Sequence, residues 1–376
     1  MDKRPTALVL GAGIMGLCTA WGLLRHGFAV TVLDQAAPPN PRGASVDHHR
    51  LIRHSYGAMR GYMRMVDEGY AAWDLLWAEL GEVLHVPTGI LAIDDTGGAW
   101  VPDSRAALRA DGHPLEDLDG PGIAARFPYL SGAHIRDAFL CPKGGVLLAQ
   151  RIVERLAQHL RAAGVAFEVA RAARVDAARA CLHLDGGGER AADVLVVAAG
   201  PWGPKLLGPA LAPRVVPSRQ VVVRLMPPAT ALADWARAPM LLDLAEAGGF
   251  YLVPPVAGTP LKIGDHSFSR EGDPDEPSRA ADPREVERIL SLARRRIPGL
   301  GDFAPMGAAN CFYDVEPEER FVIEPLGPRT WVMSGFSGHG FKFGAVLGLR
   351  LAETIATNGE AAALSDWAAG KERQPA

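Results

Sequence analysis

Leu8-Val9-Leu10-Gly11-Ala12-Gly13-Ile14-Met15-Gly16 decides how this chain begins, and Asp34, closing the apolar run Ala29 to Leu33, completes the pattern. The order is strand, glycine turn, helix, strand, acid. Gly11 allows the tight turn, Gly13 admits a pyrophosphate against the backbone, and Gly16 lets the helix lie close to the strand. Ile14 and Met15 stand on the first helical turn, where N–H groups and the helix dipole favour an anion. The Asp34 carboxylate is placed to accept hydrogen bonds from a ribose diol. An acid there, instead of an arginine, argues for a ribose without a 2′-phosphate. The unit predicts a bound adenine dinucleotide.

The 376 residues have room for about two domains. Hydrophobic residues make up 48%, enough for sizeable cores. The 39 basic and 43 acidic residues leave a formal charge of −4 with no long basic stripe, so no nucleic-acid partner is expected. Arg294-Arg295-Arg296 reads as a solvated helix end. Cys18, Cys141, Cys181 and Cys311 are far apart and form no CxxC pair. A disulfide framework or metal site is therefore not expected, and a reducing cytoplasm fits. Arg25 and His26 interrupt the first apolar stretch before it reaches bilayer length, so no membrane partner is expected.

Residues 35–57 are rich in Pro, Gly, Arg and His and read as a loop region ending in Arg50-Leu51-Ile52-Arg53-His54. Residues 61–80 predict an amphipathic helix with Met65, Tyr70, Trp73, Leu76 and Trp77 inward. Val194 to Gly200 has the look of a buried parallel strand whose C-terminal end faces a ligand. Val215 to Leu225 and Phe250 to Ile263 alternate as antiparallel strands do. Residues 270–285 predict an acidic, Pro-rich surface loop leading into a helix at 283–296. Gly344 to Ile355 predicts a last helix. The α/β segments occur at both ends and in the middle, with sheet-like segments between them.

Just before that last helix stands Gly335-Phe336-Ser337-Gly338-His339-Gly340-Phe341-Lys342-Phe343-Gly344. Glycines at this density let backbone lie against a flat ring, and the helix N-terminus beyond can stabilise negative charge on it. This favours FAD over NAD. Five segments now line up in order: GAGIMG, RLIRHSYG, KIGDHSF, Cys311-Phe312-Tyr313 and GFSGHGFKF. Together they resemble the monomeric sarcosine oxidase group of the D-amino-acid-oxidase-like flavoprotein oxidases, from about residue 6 to 355.

The resemblance implies an α/β fold (α+β overall): a Rossmann-type FAD-binding domain interleaved with a substrate domain on a mixed or antiparallel sheet. The FAD domain would comprise residues 1–84, 146–213 and 314–376, and the substrate domain residues 85–145 and 214–313. The resemblance further implies FAD bonded through the Cys311 sulfur to the flavin 8α carbon. Arg53 and Lys342 match the group's anchors for a substrate carboxylate, and Arg50 matches an arginine near the flavin ring. Lys262 matches the lysine that promotes oxygen reduction. Tyr251, His266 and Tyr313 match pocket positions. Ser45, Gly200, Trp202, Gly338, His339, Gly340 and Lys342 fall beside the cofactor. One stretch departs from the group: Ala44-Ser45-Val46-Asp47-His48-His49 stands where a Ser-His-His-Gly-Asp-Thr run is usual.

The implied activity is FAD-dependent oxidation of a secondary or N-methyl amino acid, giving an imine and hydrogen peroxide. A cyclic amino acid such as proline or pipecolate is the alternative substrate, and a non-oxygen acceptor the alternative electron sink. The implied partners are a small amino acid and oxygen, acting on a cytoplasmic monomer.

Overall fold

The computed structural model describes residues 4–245 and 248–371. Residues 1–3 and 372–376, assigned above to the first domain, lie outside them. The first strand, Thr6–Leu10, is followed by the helix Ile14–Arg25 and the strand Ala29–Asp34, as the opening motif requires. These strands sit at the heart of a six-stranded sheet ordered Val322–Gly327, Thr330–Ser334, Val194–Val197, Thr6–Leu10, Ala29–Asp34, Ala166–Val169. All pairs are parallel except the edge strand Val322–Gly327. Both faces of a parallel sheet are covered, which is why Val194–Val197 is apolar throughout.

A second sheet has eight strands, ordered Ala304–Val315, Val216–Met226, Leu261–Asp265, Phe250–Val253, Met240–Leu244, Ile90–Asp94, Asp137–Cys141, Glu116–Asp117. It is antiparallel except where Met240–Leu244 runs parallel to Ile90–Asp94, so it is mixed. Every strand of the parallel sheet falls in the segments assigned to the FAD domain. The eight-stranded sheet falls in the others, apart from the last two residues of Ala304–Val315.

Three expectations are corrected. Gly344–Thr357 is not the last helix, since Ala361–Ala368 follows it. The region 35–57 is not loop throughout: Arg50–Arg53 is a strand, paired with Gly144–Leu147, which also pairs with His85–Pro87. Four residues are too few for periodicity to register, and the ladder that holds them comes from a distant segment. Nor is the arginine run wholly solvated. The helix ends at Arg294, and Arg296 is buried against buried Asp243 (Nε to Oδ2 2.6 Å), donating also to the Ser131 and Ala133 carbonyls. A charge run looks like a solvated face until the fold supplies a buried acid.

Helix Gly344–Thr357 crosses Ile14–Arg25 at very short range. A Cβ on Gly348 would collide with the Cys18 backbone. This crossing seats the last glycine motif beside the first. In the helix Arg60–Leu80, Met65, Trp73, Leu76 and Trp77 are buried and Tyr70 is half-buried. Among the described residues no helix is long and apolar enough to cross a membrane.

Candidate active site

The opening motif builds one wall of a first cavity. It is lined by residues 10–15, Asp34, residues 43–46, Arg50, residues 198–202, Tyr313, Gly338 and Gly340, among others. Gly11 has φ +110° and any Cβ there would strike the Ala198 carbonyl; one on Gly16 would strike the Gly11 carbonyl. Gly16 is thus a packing residue behind the cavity and does not line it. The Asp34 carboxylate accepts from Ala12 N (2.7 Å) and Asn40 Nδ2 (2.9 Å) while lining the cavity, so it braces the glycine turn. Ser45 Oγ accepts from Ile14 N at 3.0 Å on the first helical turn. Trp202 lines the cavity and donates Nε1–H to Asp275 Oδ1 (2.8 Å), which draws the acidic loop over this end.

A second cavity adjoins the first. Arg50, Tyr313, Gly338 and Phe341 line both. Its other walls include Arg53, Trp100, Tyr251, Lys262, His266, Glu319, His339 and Lys342. The sequence-predicted substrate and catalytic residues are therefore brought together around one space, although they come from widely separated segments. Tyr251 and Tyr313 are hydrogen-bonded to each other, and the Tyr251 ring lies 6.1 Å from that of His266.

Lys262 is buried on the strand Leu261–Asp265. Its ammonium donates to Asp47 Oδ2 (2.7 Å) and to the His49 carbonyl (2.8 Å). Arg50 Nη1 reaches the same Asp47 oxygen at 2.6 Å, and Arg224 Nη2 lies 3.2 Å from Oδ1. One buried carboxylate thus faces three cations. Burial alone would raise the Asp47 pKa, but Lys262, Arg50 and Arg224 overcome it and hold the carboxyl well below its ordinary range. Burial lowers Lys262 to about 8 despite Asp47, so the ion pair is charged at neutral pH. His49 is buried with Nε2–H donating to the Pro260 carbonyl (3.0 Å), and burial lowers its pKa to about 3. It is a neutral strut whose own carbonyl holds Lys262 and Arg50. The departure in this loop therefore builds a counter-charge. Sequence reasoning missed Asp47, since an acid in a polar loop carries no signal of the lysine 215 positions away.

Asparagine at Asp47 would strand those three cations, at an expected cost of about 3 kcal/mol or more. The pKa of Asp47 is depressed on folding, so its stabilisation is complete above the unfolded value and fades as pH falls through the folded one. Urea unfolding should show Asp47→Asn far below the native protein at pH 7, with the gap narrowing only below about pH 4.

Arg53 and Lys342 form a different arrangement. Lys342 is buried and Arg53 half-buried, and among the described residues neither is ion-paired; the Arg53 side chain is hydrogen-bonded to Tyr56, but its buried Nη1 has no partner. Burial lowers the pKa of each, and for Lys342 the nearby Arg53 lowers it further. Glu319 lines the same cavity and acts on Arg53 from longer range, but neither cation has a close acid, so the pair could receive an anion. Cys311 pairs across the sheet with Gln220 and is the one cysteine of the four that is partly exposed. Burial raises its pKa while Arg50 pulls the other way.

The joined cavities fit a dinucleotide ending in a flat ring. The glycine turn and Asp34 could hold the adenosine diphosphate end. Arg50, Tyr313 and Gly338 line the junction of the two cavities, where a flat ring would meet Arg53 and Lys342. A Rossmann cradle opening into a cation-floored substrate cavity defines a dinucleotide-dependent oxidoreductase. The chain belongs to the DAO family of FAD-dependent oxidoreductases, which matches residues 6–354. It is 29% identical to a monomeric sarcosine oxidase of Bacillus sp. (strain NS-129), over 96% of this chain and 95% of the relative. It is 27% identical to an N-methyl-L-tryptophan oxidase of Yersinia pestis, over 91% and 92%. Among solved structures, NikD, an amino acid oxidase essential for nikkomycin biosynthesis, superposes with TM-score 0.79 at 22% identity, covering 95% of this chain and 96% of NikD. L-Proline dehydrogenase from P. horikoshii gives 0.81 at 16%, covering 99% and 100%.

Proposed function

We propose that this enzyme oxidises a secondary or N-methyl amino acid at the carbon beside nitrogen, with oxygen as the acceptor and hydrogen peroxide as co-product. The observation that carries this reading is the pair Arg53 and Lys342, which line the second cavity with no ion pair to either among the described residues, Glu319 acting on Arg53 only from longer range. FAD, when bound, supplies the two-electron acceptor. Gly11, Gly13, Ile14, Met15, Asp34, Ser45 and Gly200 would hold its phosphates and ribose; Arg50, Gly338, His339 and Gly340 would flank its ring. Arg53 would clamp the substrate carboxylate with two parallel N–H donors, and Lys342 would add a compact charge. That clamp fixes the C–H bond in one orientation. The same cations favour the neutral amine, whose lone pair must drive the reaction. Tyr251, Tyr313 and His266 shape the pocket. Lys262 places an ammonium where negative charge forms on oxygen.

Release of peroxide from a panel of sarcosine, N-methyltryptophan, proline and pipecolate tests the reading. Turnover of a subset names the substrate class, and silence on all of them removes the proposal. The division into two interleaved domains follows the two large sheets, and limited proteolysis between them is its check. A reducing cytoplasm agrees with four free cysteines, and size exclusion tests whether the protein is a monomer.

We further read Cys311 as the attachment point for the flavin, since Arg50 is at hand to favour the thiolate that attack requires. Acid precipitation should leave the native protein yellow in the pellet. The same treatment of Cys311→Ala should release the colour to the supernatant. A colourless native pellet would refute the attachment.

A further inference from the structure

We propose that Tyr56 is the positioning residue of the carboxylate receptor, the neutral group that holds Arg53 and Lys342 in place without cancelling their charge. The inference rests on the reading of those two cations as the substrate anchor.

The hydrogen bonds leave one assignment. The Lys342 ammonium is 2.7 Å from Tyr56 Oη and 2.6 Å from the His339 carbonyl. An ammonium only donates, so the phenol oxygen accepts from it. The phenol proton is then directed at His339 Nδ1, 3.1 Å away. Nδ1 is therefore bare, and Nε2–H donates to the Glu319 carbonyl at 3.1 Å. The chain runs Lys342, Tyr56, His339, Glu319 backbone, with every proton placed. The face of the same phenol lies 4.5 Å from Arg53 Cζ. One side chain thus supports both cations: its oxygen is hydrogen-bonded to Lys342 and to Arg53, and its ring lies against the Arg53 guanidinium.

The chemistry of the phenol matters here. A carboxylate at position 56 would pair with Lys342 and Arg53 and occupy their capacity for an anion. A buried phenol keeps its proton, accepts from an ammonium and adds no charge. The ring is also fixed from behind: Tyr62 and Phe343 pack against it at 5.5 and 6.0 Å between centroids, and Tyr62 accepts from Phe321 N (2.9 Å). The groups that touch Lys342 are neutral, and Glu319 acts on Arg53 only from longer range, so the receptor keeps its capacity for an arriving carboxylate.

Tyr56→Phe removes the oxygen and keeps the ring under Arg53. It is expected to weaken binding of a non-oxidisable carboxylate such as acetate or benzoate about tenfold. KM for the amine should rise in step while kcat falls less than about threefold. In a Lys342→Met background the same change should have a clearly smaller effect, because the bond to Lys342 is already gone and only the one to Arg53 is left to lose. Tyr56→Leu, which also takes away the ring, should weaken binding further. Unchanged carboxylate binding in Tyr56→Phe, or an effect that multiplies independently with Lys342→Met, overturns the assignment of Tyr56. Unchanged binding in both Arg53→Met and Lys342→Met overturns the anchor reading beneath it, so the two failures are distinct. The native protein gives a second decision. The ring nitrogen shifts of ¹⁵N-labelled His339 should show Nδ1 bare and Nε2 protonated at pH 7, and the opposite tautomer refutes the chain.

Discussion

Replacing Arg53 with methionine is expected to lower kcat/KM for the carboxylated amine a few hundredfold, about 3 kcal/mol, mostly through KM. The magnitude follows from removing one member of a buried, hydrogen-bonded charge pair. Arg53 fits that case because its Nη1 is buried and without a partner until substrate supplies one. Methionine preserves much of the stem packing and removes only the donors. Lys342 would remain but has no second prong, so orientation suffers as well as affinity. The sharpest control is the substrate amide. The native enzyme should discriminate strongly against it, and Arg53→Met should treat acid and amide nearly alike. Equal discrimination in both proteins would place the carboxylate elsewhere.

Lys262→Met is expected to lower kcat/KM for oxygen about a hundredfold or more while leaving kcat/KM for the amine within about threefold. Loss of one preorganised charge at a site of developing negative charge typically has that size. The split follows from geometry: Lys262 is held by Asp47 and His49, apart from the Arg53 and Lys342 receptor. The pH profile carries the same information. Burial sets Lys262 near 8, so its charge is present below that value and lost above it. The native oxygen rate should therefore fall as pH rises through about 8, and the methionine variant should be flat there. An oxygen electrode at varied oxygen concentration and pH measures both. A native profile that is level across this range would take Lys262 out of the oxygen step.

Much of the frame was legible in the chain itself. The glycines at 11, 13 and 16, the strand runs and the acid at 34 act through sterics and periodicity over a few residues, which a linear text preserves. The resemblance then placed Arg53, Lys262, Cys311 and Lys342, and the fold gathers three of them around one cavity with Cys311 beside Arg50. Arg296 shows where such reading stops, since its buried acid lies 53 positions away on another element.

By itself, then, the sequence determined the dinucleotide cradle, the alternation of α/β and sheet segments and the identity of the cationic side chains. Only the tertiary structure decided what those cations face. Lys262 meets Asp47 across 215 positions, and Lys342 meets the Tyr56 phenol across 286. The first lysine faces an acid and the second a neutral phenol, although both sit in apolar stretches of similar appearance. A buried charge takes its properties from whatever the fold brings within a few ångströms, and local sequence does not record that company.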